Sequence, residues 1–110
     1  MNFIVDVDGT LCEIVSSFDE YYSAKPKLDI IEKVNKMYDA GSYIILFTAR
    51  GMRTFNDDVS KIEEVHRPIL ETWLNKNNVK YHELRFGKAW APDCYYVDDK
   101  TMSLNEFLKV

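Results

Sequence analysis

Short apolar runs alternate with amphipathic helical patterns along this chain, and this alternation constrains the fold more than any other feature. Residues 2–7 form an apolar run bounded by a glycine turn, and residues 43–47 form an aromatic and β-branched run. Between them, residues 26–41 carry apolar side chains at helical spacing, with Pro26 at the start and Gly41 at the end. Strands that alternate with helices pair in parallel through right-handed crossovers. The predicted fold is therefore α/β, a three-layer, doubly wound, mainly parallel sheet.

The second half of the chain continues the alternation. Four further elements are predicted: a helix over 58–75, a weak strand over 79–86, a short strand over 94–97 and a short helix near 104–108. Pro68 is expected to break or restart the first of these helices. Residues 11–25 show no clear period and are predicted to form an irregular flap. No linker or internal repeat is visible, so residues 1–110 are predicted to form one domain.

Composition narrows the functional classes. The formal net charge is −4 over 110 residues, which argues against bulk nucleic-acid binding. No apolar run approaches the roughly 18 residues that a membrane span needs. The two cysteines form no C-x-x-C pair, and both are predicted to be reduced thiols in a cytoplasmic protein.

Polar residues follow three of the predicted strands at their carboxyl ends, where ligands bind in open α/β sheets. Four carboxylates are expected to meet at this edge: Asp6, Asp8, Asp98 and Asp99. Such a cluster is costly unless a cation neutralises it, and hard oxygen ligands favour Mg²⁺. Magnesium usually binds one or two carboxylates, several waters and a substrate phosphate, so a phosphorylated substrate is implied. Thr48 and Lys88 are predicted to bind its phosphoryl group.

The segments VDVDGT, FTAR, GK and YYVDDK lie in this order along nearly the whole chain. This arrangement resembles the four motifs of the haloacid dehalogenase (HAD) superfamily of phosphatases. The resemblance implies that Asp6 is the nucleophile that becomes an aspartyl phosphate, and that it also binds Mg²⁺. It implies that Asp8 is the general acid and base and binds the metal through its backbone carbonyl. Thr48 and Lys88 would then hold the phosphoryl oxygens, and Lys88 would offset the charge of Asp6.

The last motif contains two adjacent carboxylates. Asp99 aligns best with the family's direct metal ligand, and Asp98 is expected to act through water. The intervals between the motifs hold no room for a large cap domain, so the chain resembles a capless member of the superfamily. Either a large substrate or a neighbouring subunit of a homo-oligomer would then cover the open site.

Residues after the second motif are the best candidates for substrate contact. Arg50, Gly51 and Arg53 lie there, and arginines can bind a second anionic group. By contrast, His66, Arg67 and the flap tyrosines Tyr21 and Tyr22 are expected to have structural roles.

Three functions remain open. The short length and the VDDK motif resemble capless hydrolases of capsule and polysaccharide biosynthesis, which implies a sugar phosphate or another small phosphorylated metabolite. The D-x-D-G-T and V-D-D patterns also resemble the polynucleotide 3′-phosphatase domain, although the acidic charge weighs against a nucleic-acid substrate. A receiver-like phosphoacceptor switch is the alternative of a different class. The order of the acidic motifs, and a general base two residues from the acceptor, favour the hydrolase.

Overall fold

The computed structural model describes all 110 residues and contains a three-stranded parallel sheet with helices. The strands are β1 (Asn2–Asp6), β2 (Tyr43–Thr48) and β3 (Glu83–Phe86), in the spatial order β1-β2-β3. The helices are α1 (Leu28–Asp39), α2 (Val59–Lys76) and α3 (Leu104–Leu108), and a short 3₁₀ helix covers Phe18–Ser23. The predicted α/β class and parallel pairing are confirmed, and no cap domain is present.

Both long helices cover the same face of the sheet. Val5, Leu46 and Leu84 point to this face and join the main apolar core with residues from α1 and α2. The opposite face is open to solvent: Ile4 is 66% exposed and Tyr43 is 40% exposed. The predicted three-layer arrangement is therefore absent. Strands in the order β1-β2-β3 progress in one direction, so right-handed crossovers place both helices on one side.

The strand predicted over 94–97 does not form. Residues 89–102 make no hydrogen bond between main-chain groups, and Tyr95 and Val97 are 93% and 95% exposed. A short apolar run becomes a strand only where a neighbouring strand pairs with it. Without this element β1 is an edge strand, and no reversal of strand order brings a helix to the open face.

Helix α2 runs through Pro68 without interruption, so the predicted break at this residue is wrong. A proline inside a helix removes one hydrogen bond and costs about 3 kcal/mol. The turns that follow are anchored by Trp73 and Leu74, which are almost fully buried. The Trp73 indole also donates a hydrogen bond of 2.8 Å to the Ala24 carbonyl. These tertiary contacts offset the cost of the proline.

The flap and the last helix both pack against the rest of the fold. The 3₁₀ helix of the flap packs against α2. Helix α3 forms where it was predicted, begins with a Ser103–Glu106 capping box, and packs Phe107 against Phe3 with ring centres 5.4 Å apart. None of the helices combines the length and the apolar character needed to cross a membrane.

Candidate active site

The carboxyl ends of the three parallel strands bring four of the predicted site residues together. Asp6 ends β1, Thr48 ends β2, and Lys88 follows β3 by two residues. The Lys88 main-chain N–H donates to the Thr48 carbonyl at 3.2 Å, which continues the pairing of β2 and β3 past their ends. Asp8 lies just beyond Asp6 and accepts a hydrogen bond from the Thr48 hydroxyl at 3.4 Å.

A tight turn after β1 separates the two aspartates. The Val7 carbonyl accepts main-chain hydrogen bonds from Thr10 at 3.1 Å and Leu11 at 2.8 Å, and Val7 itself is fully buried. Gly9 has φ +87°, a left-handed conformation that glycine adopts without steric cost. The turn leads Asp6 and Asp8 to different partners. The i, i+2 spacing brings the two carboxylates close enough to repel each other. Two different cationic side chains, Lys88 at Asp6 and Arg50 at Asp8, relieve this repulsion.

Asp6 is paired with Lys88. The Lys88 Nζ lies 3.3 Å from Asp6 Oδ1, and the Thr10 hydroxyl donates to Asp6 Oδ2 at 3.3 Å. The same ammonium lies 4.2 Å from the centre of the Tyr96 ring. Burial raises the pKa of Asp6, and this effect exceeds the lowering by the neighbouring Lys88. Lys88 alone therefore does not offset the desolvation of the Asp6 carboxylate.

Asp8 is paired with Arg50. The guanidinium donates two hydrogen bonds to the carboxylate, from Nη2 at 2.8 Å and from Nε at 3.2 Å. The Arg50 side chain is only 1% exposed, and its guanidinium carbon lies 4.1 Å from the centre of the Tyr21 ring. Its Nη1 has no hydrogen-bond partner. Arg50 was predicted to contact substrate, but this structure buries it and uses it to hold Asp8.

The Thr48 hydroxyl is also occupied within the protein. It accepts a hydrogen bond from the Arg50 main-chain N–H at 3.0 Å and donates to Asp8. Thr48 is fully buried. In this structure it therefore positions Arg50 and Asp8, instead of presenting a free hydroxyl to a phosphoryl group as predicted.

The other two predicted carboxylates lie away from this group. Asp98 and Asp99 are exposed residues of the unpaired segment 89–102. Asp98 accepts a hydrogen bond from the Lys100 N–H at 2.9 Å, as in a local turn. No three His, Cys, Asp or Glu residues are gathered as metal ligands. The expected convergence of four carboxylates fails because the strand that would carry Asp98 and Asp99 to the sheet edge does not form.

The donor atoms that remain are compatible with a hard cation. The Asp6 carboxylate is 32% exposed, and no backbone N–H donates to the Asp8 carbonyl. Both are hard oxygen ligands, and Mg²⁺ is commonly bound by one or two protein oxygens with waters completing the shell. Two of the predicted ligands thus fit Mg²⁺.

Gly51 and Arg53, also predicted to contact substrate, lie beside the site. Arg53 is exposed, and its guanidinium carbon is 5.9 Å from the Trp90 ring centre. Gly51 has φ +82°, and a Cβ at this position would lie 2.9 Å from the His66 ring. A glycine is therefore required where this loop passes the helix α2 histidine.

The pairing of Asp8 with Arg50 was missed at the sequence level, although a signal for it exists. Each residue lies two positions past the end of its strand, and these strands are parallel neighbours. Asp6 pairs with Phe47, one residue before the end of β2, so these offsets place both residues just past the same edge of the sheet but one residue out of register. The cluster around His66, by contrast, depends on how the flap folds over α2, and no local pattern predicts it.

The ion pair of Asp8 and Arg50 is expected to contribute to stability. Breaking a buried pair leaves an uncompensated charge and typically costs about 3–5 kcal/mol. Because the Asp8 side chain is 25% exposed, we expect Arg50→Met to lower the free energy of unfolding by about 2–3 kcal/mol. Urea denaturation measures this change. Arg85→Met is the matched control, since Arg85 pairs with Glu83 at the surface and such pairs contribute about 1 kcal/mol or less. Equal losses in both variants would contradict the assignment.

The stability of the metal-free protein is expected to depend on Asp6. Because its pKa is raised in the folded state, the ionised form opposes folding once the pH exceeds the ordinary value of 3.8. Asp6→Asn should therefore increase the free energy of unfolding at pH 7, and the gain should disappear as the pH falls below 3.8. Denaturation at several pH values, with Asp93→Asn as a control at an exposed loop, tests this. A variant less stable than the wild type at pH 7 would contradict it.

The fold and the site define an α/β domain with a parallel sheet, whose strand ends carry two aspartates, each paired with a cation. The chain is similar to the crystal structure of an MCSG target protein from Vibrio cholerae, with 38% sequence identity and a TM-score of 0.91. The match covers 99% of this chain and 88% of that one. This chain belongs to the same family as the Vibrio cholerae protein. No protein-family model matches the chain, and no curated protein sequence does either.

Proposed function

We propose that the protein is a Mg²⁺-dependent phosphomonoester hydrolase of the HAD type, which acts through an aspartyl phosphate on Asp6. One observation carries the proposal. Asp6 and Asp8 lie two residues apart on the chain but have different partners, with Lys88 3.3 Å from Asp6 and Arg50 2.8 Å from Asp8. A nucleophile and a proton-transfer group need such separate environments.

The first step transfers the phosphoryl group to the protein. An Asp6 oxygen attacks phosphorus, the bond between phosphorus and the ester oxygen breaks, and the leaving oxygen takes a proton from the Asp8 carboxyl group. Lys88 lies beside the nucleophile and is positioned to bind phosphoryl oxygens. For this step Asp8 must carry a proton, so it must first release at least one of its two hydrogen bonds from Arg50.

The second step hydrolyses the aspartyl phosphate. A water attacks phosphorus, its proton moves to the Asp8 carboxylate, and the Asp6 carboxylate is released with inorganic phosphate. Arg50 and Thr48 hold the carboxylate of Asp8 in place for this step, through contacts of 2.8–3.4 Å. Bound Mg²⁺, held by the Asp6 carboxylate and the Asp8 carbonyl, would neutralise charge on the phosphoryl group.

The site is open, with Asp6 about one third exposed and no cap above it. Such a site admits a small phosphorylated metabolite, and a sugar phosphate is the substrate class that the sequence resemblance favours. The net charge of −4 weighs against a polynucleotide 3′-phosphate. We place the activity in the cytoplasm, consistent with two free cysteines.

One observation favours a phosphoacceptor switch as the second candidate. Arg50 occupies the Asp8 carboxylate on both oxygens, which would slow any proton transfer by Asp8 and prolong the life of an aspartyl phosphate. The lifetime of a phosphorylated protein therefore separates the two functions. A hydrolase returns to the free form within its turnover time, and a switch stays phosphorylated much longer.

Release of inorganic phosphate from an aryl phosphate and from acetyl phosphate tests the proposed activity. We expect saturable release with Mg²⁺ and loss of activity when a chelator is added, with recovery on readdition of Mg²⁺. Activity that is indifferent to the chelator would contradict the proposed mechanism.

A further inference from the structure

The position of the Lys88 ammonium is not set by Asp6 alone. The Lys88 Nζ lies 3.3 Å from Asp6 Oδ1, which is longer than the roughly 2.7–2.9 Å of a charge-assisted hydrogen bond. The exposed pair of Lys80 and Asp39 reaches 2.7 Å in the same structure. A second contact therefore shares in fixing the Lys88 ammonium.

The ring of Tyr96 supplies this second contact. The Lys88 Nζ lies 4.2 Å from the ring centre, well inside the roughly 6 Å over which an aromatic face attracts an ammonium. The Lys88 side chain is only 21% exposed, and cation–π contacts strengthen as water is removed from the cation. The ammonium thus has two partners, the carboxylate of Asp6 and the face of Tyr96.

The Tyr96 ring is itself held in place beside the lysine. Its hydroxyl donates a hydrogen bond of 2.6 Å to the carbonyl of Ala89, the residue after Lys88. This bond closes a loop over residues 89–96, which has no main-chain hydrogen bonds of its own. Side-chain contacts therefore hold this loop against the site.

The neighbours of Tyr96 along the chain do not share this contact. Tyr95 and Val97 are 93% and 95% exposed, whereas Tyr96 is 48% exposed. Of these three consecutive side chains, the middle one turns toward the lysine of the site. The adjacent tyrosine thus offers a matched comparison for any role of Tyr96.

Sharing the ammonium between two partners has a chemical consequence. Lysine carries a strongly hydrated charge on a flexible four-carbon stem. Without the ring, the ammonium is free to turn to solvent or to close on Asp6, and either move withdraws its N–H groups from a substrate. An ammonium has three N–H donors, so Lys88 in its present position can pair with Asp6 and still donate to a phosphoryl oxygen.

We propose that Tyr96 is a positioning residue of the phosphatase reaction, which holds the Lys88 ammonium beside Asp6 and available to the phosphoryl oxygens in the first step. The inference rests on the proposed phosphatase function and adds a residue to it. It also gives a role to the run 94–97, which forms no strand.

Kinetics with acetyl phosphate and Mg²⁺ test the role of the ring. Tyr96→Leu removes the aromatic face, and it should fold because the side chain is half exposed. A cation–π contact changes an equilibrium roughly two- to fivefold at exposed sites and more where the cation is desolvated, so we expect kcat/KM to fall about fivefold. Tyr96→Phe keeps the face and should stay within about twofold of the wild type. Tyr95→Leu, the matched control, should leave kcat/KM unchanged.

A double-mutant cycle tests whether the effect passes through Lys88. In a Lys88→Met background the ring has no ammonium to hold, so adding Tyr96→Leu should cause no further loss of kcat/KM. An equal loss in both backgrounds would show that Tyr96 only supports the fold.

An NMR measurement checks the contact without catalysis. Protons above an aromatic face are shielded, so the ε-methylene protons of Lys88 should resonate further upfield in the wild type than in Tyr96→Leu. Lys88→Met identifies these signals by their disappearance. Tyr95→Leu should leave them where they are in the wild type.

The outcomes separate the two proposals. A Lys88 signal that does not move in Tyr96→Leu, a wild-type kcat/KM in that variant, or a loss that persists in the Lys88→Met background would overturn the role of Tyr96 alone. If the wild type with Mg²⁺ releases no phosphate even from acetyl phosphate, the phosphatase proposal is wrong, and the positioning role falls with it.

Discussion

Asp6→Asn is expected to abolish phosphate release, with a loss in kcat on the order of 10⁴-fold or more. An amide oxygen is a poor nucleophile and forms no stable phosphoryl intermediate, so the covalent route is closed. The substitution keeps the size of the side chain, and its Lys88 and Thr10 neighbours lie 3.3 Å away. Steady-state kinetics with an aryl phosphate and Mg²⁺ measure the effect.

The stability of the Asp6→Asn variant is the control for correct folding. Because burial raises the pKa of Asp6, the variant should be at least as stable as the wild type at pH 7. A loss of activity therefore reflects lost chemistry and not unfolding. Asp93→Asn, at an exposed position, should keep full activity. Retention of more than a few per cent of activity by Asp6→Asn would contradict the assignment of the nucleophile.

Asp8→Asn is expected to lower kcat by roughly 10²–10⁴-fold, the usual contribution of a general acid or base. Asparagine can still accept a hydrogen bond from Arg50, but it transfers no proton to the leaving oxygen and takes none from water. The loss in kcat/KM, which reports the first step, should be largest for esters with a basic leaving alcohol and smaller for acetyl phosphate, whose leaving group needs no proton. Comparing the two substrates in one variant measures this difference.

The variant also leaves the buried Arg50 without an anionic partner. A lower stability is therefore expected, and the kinetics are to be measured well below the unfolding temperature. Arg50→Met supplies the comparison, since it frees the Asp8 carboxylate while keeping the group that transfers protons. An equal loss in kcat/KM for both classes of substrate in Asp8→Asn would argue that Asp8 only shapes the site.

The sequence was a good guide to the elements that bury one regular face. Helix α1 and strands β1 and β2 were predicted within about two residues, because their apolar period decides both type and place. The predicted break at Pro68 was wrong because the burial of Trp73 and Leu74 outweighs the local cost of a proline inside a helix. The strand predicted over 94–97 was wrong because this run has the composition of a strand but pairs with no neighbouring strand. The number of sheet layers depended on that one segment.

The candidate site was predicted in part. Four predicted residues meet because the parallel strands end at one edge of the sheet: Asp6, Asp8, Thr48 and Lys88. The alternation of strands and helices along the sequence is enough to predict this meeting. The use of Arg50 as the partner of Asp8 was not predicted, since an arginine after a strand can point to solvent or inward.

The most direct test of the account is the site of phosphorylation in the Asp8→Asn variant. This variant should still transfer a phosphoryl group to Asp6 from acetyl phosphate in the presence of Mg²⁺, but it should hydrolyse the intermediate slowly. Mass spectrometry after a rapid acid quench should find one phosphoryl group, on the peptide that contains Asp6, and none in the Asp6→Asn variant. A phosphoryl group on another residue, or hydrolysis that proceeds with no covalent intermediate, would contradict the central claim.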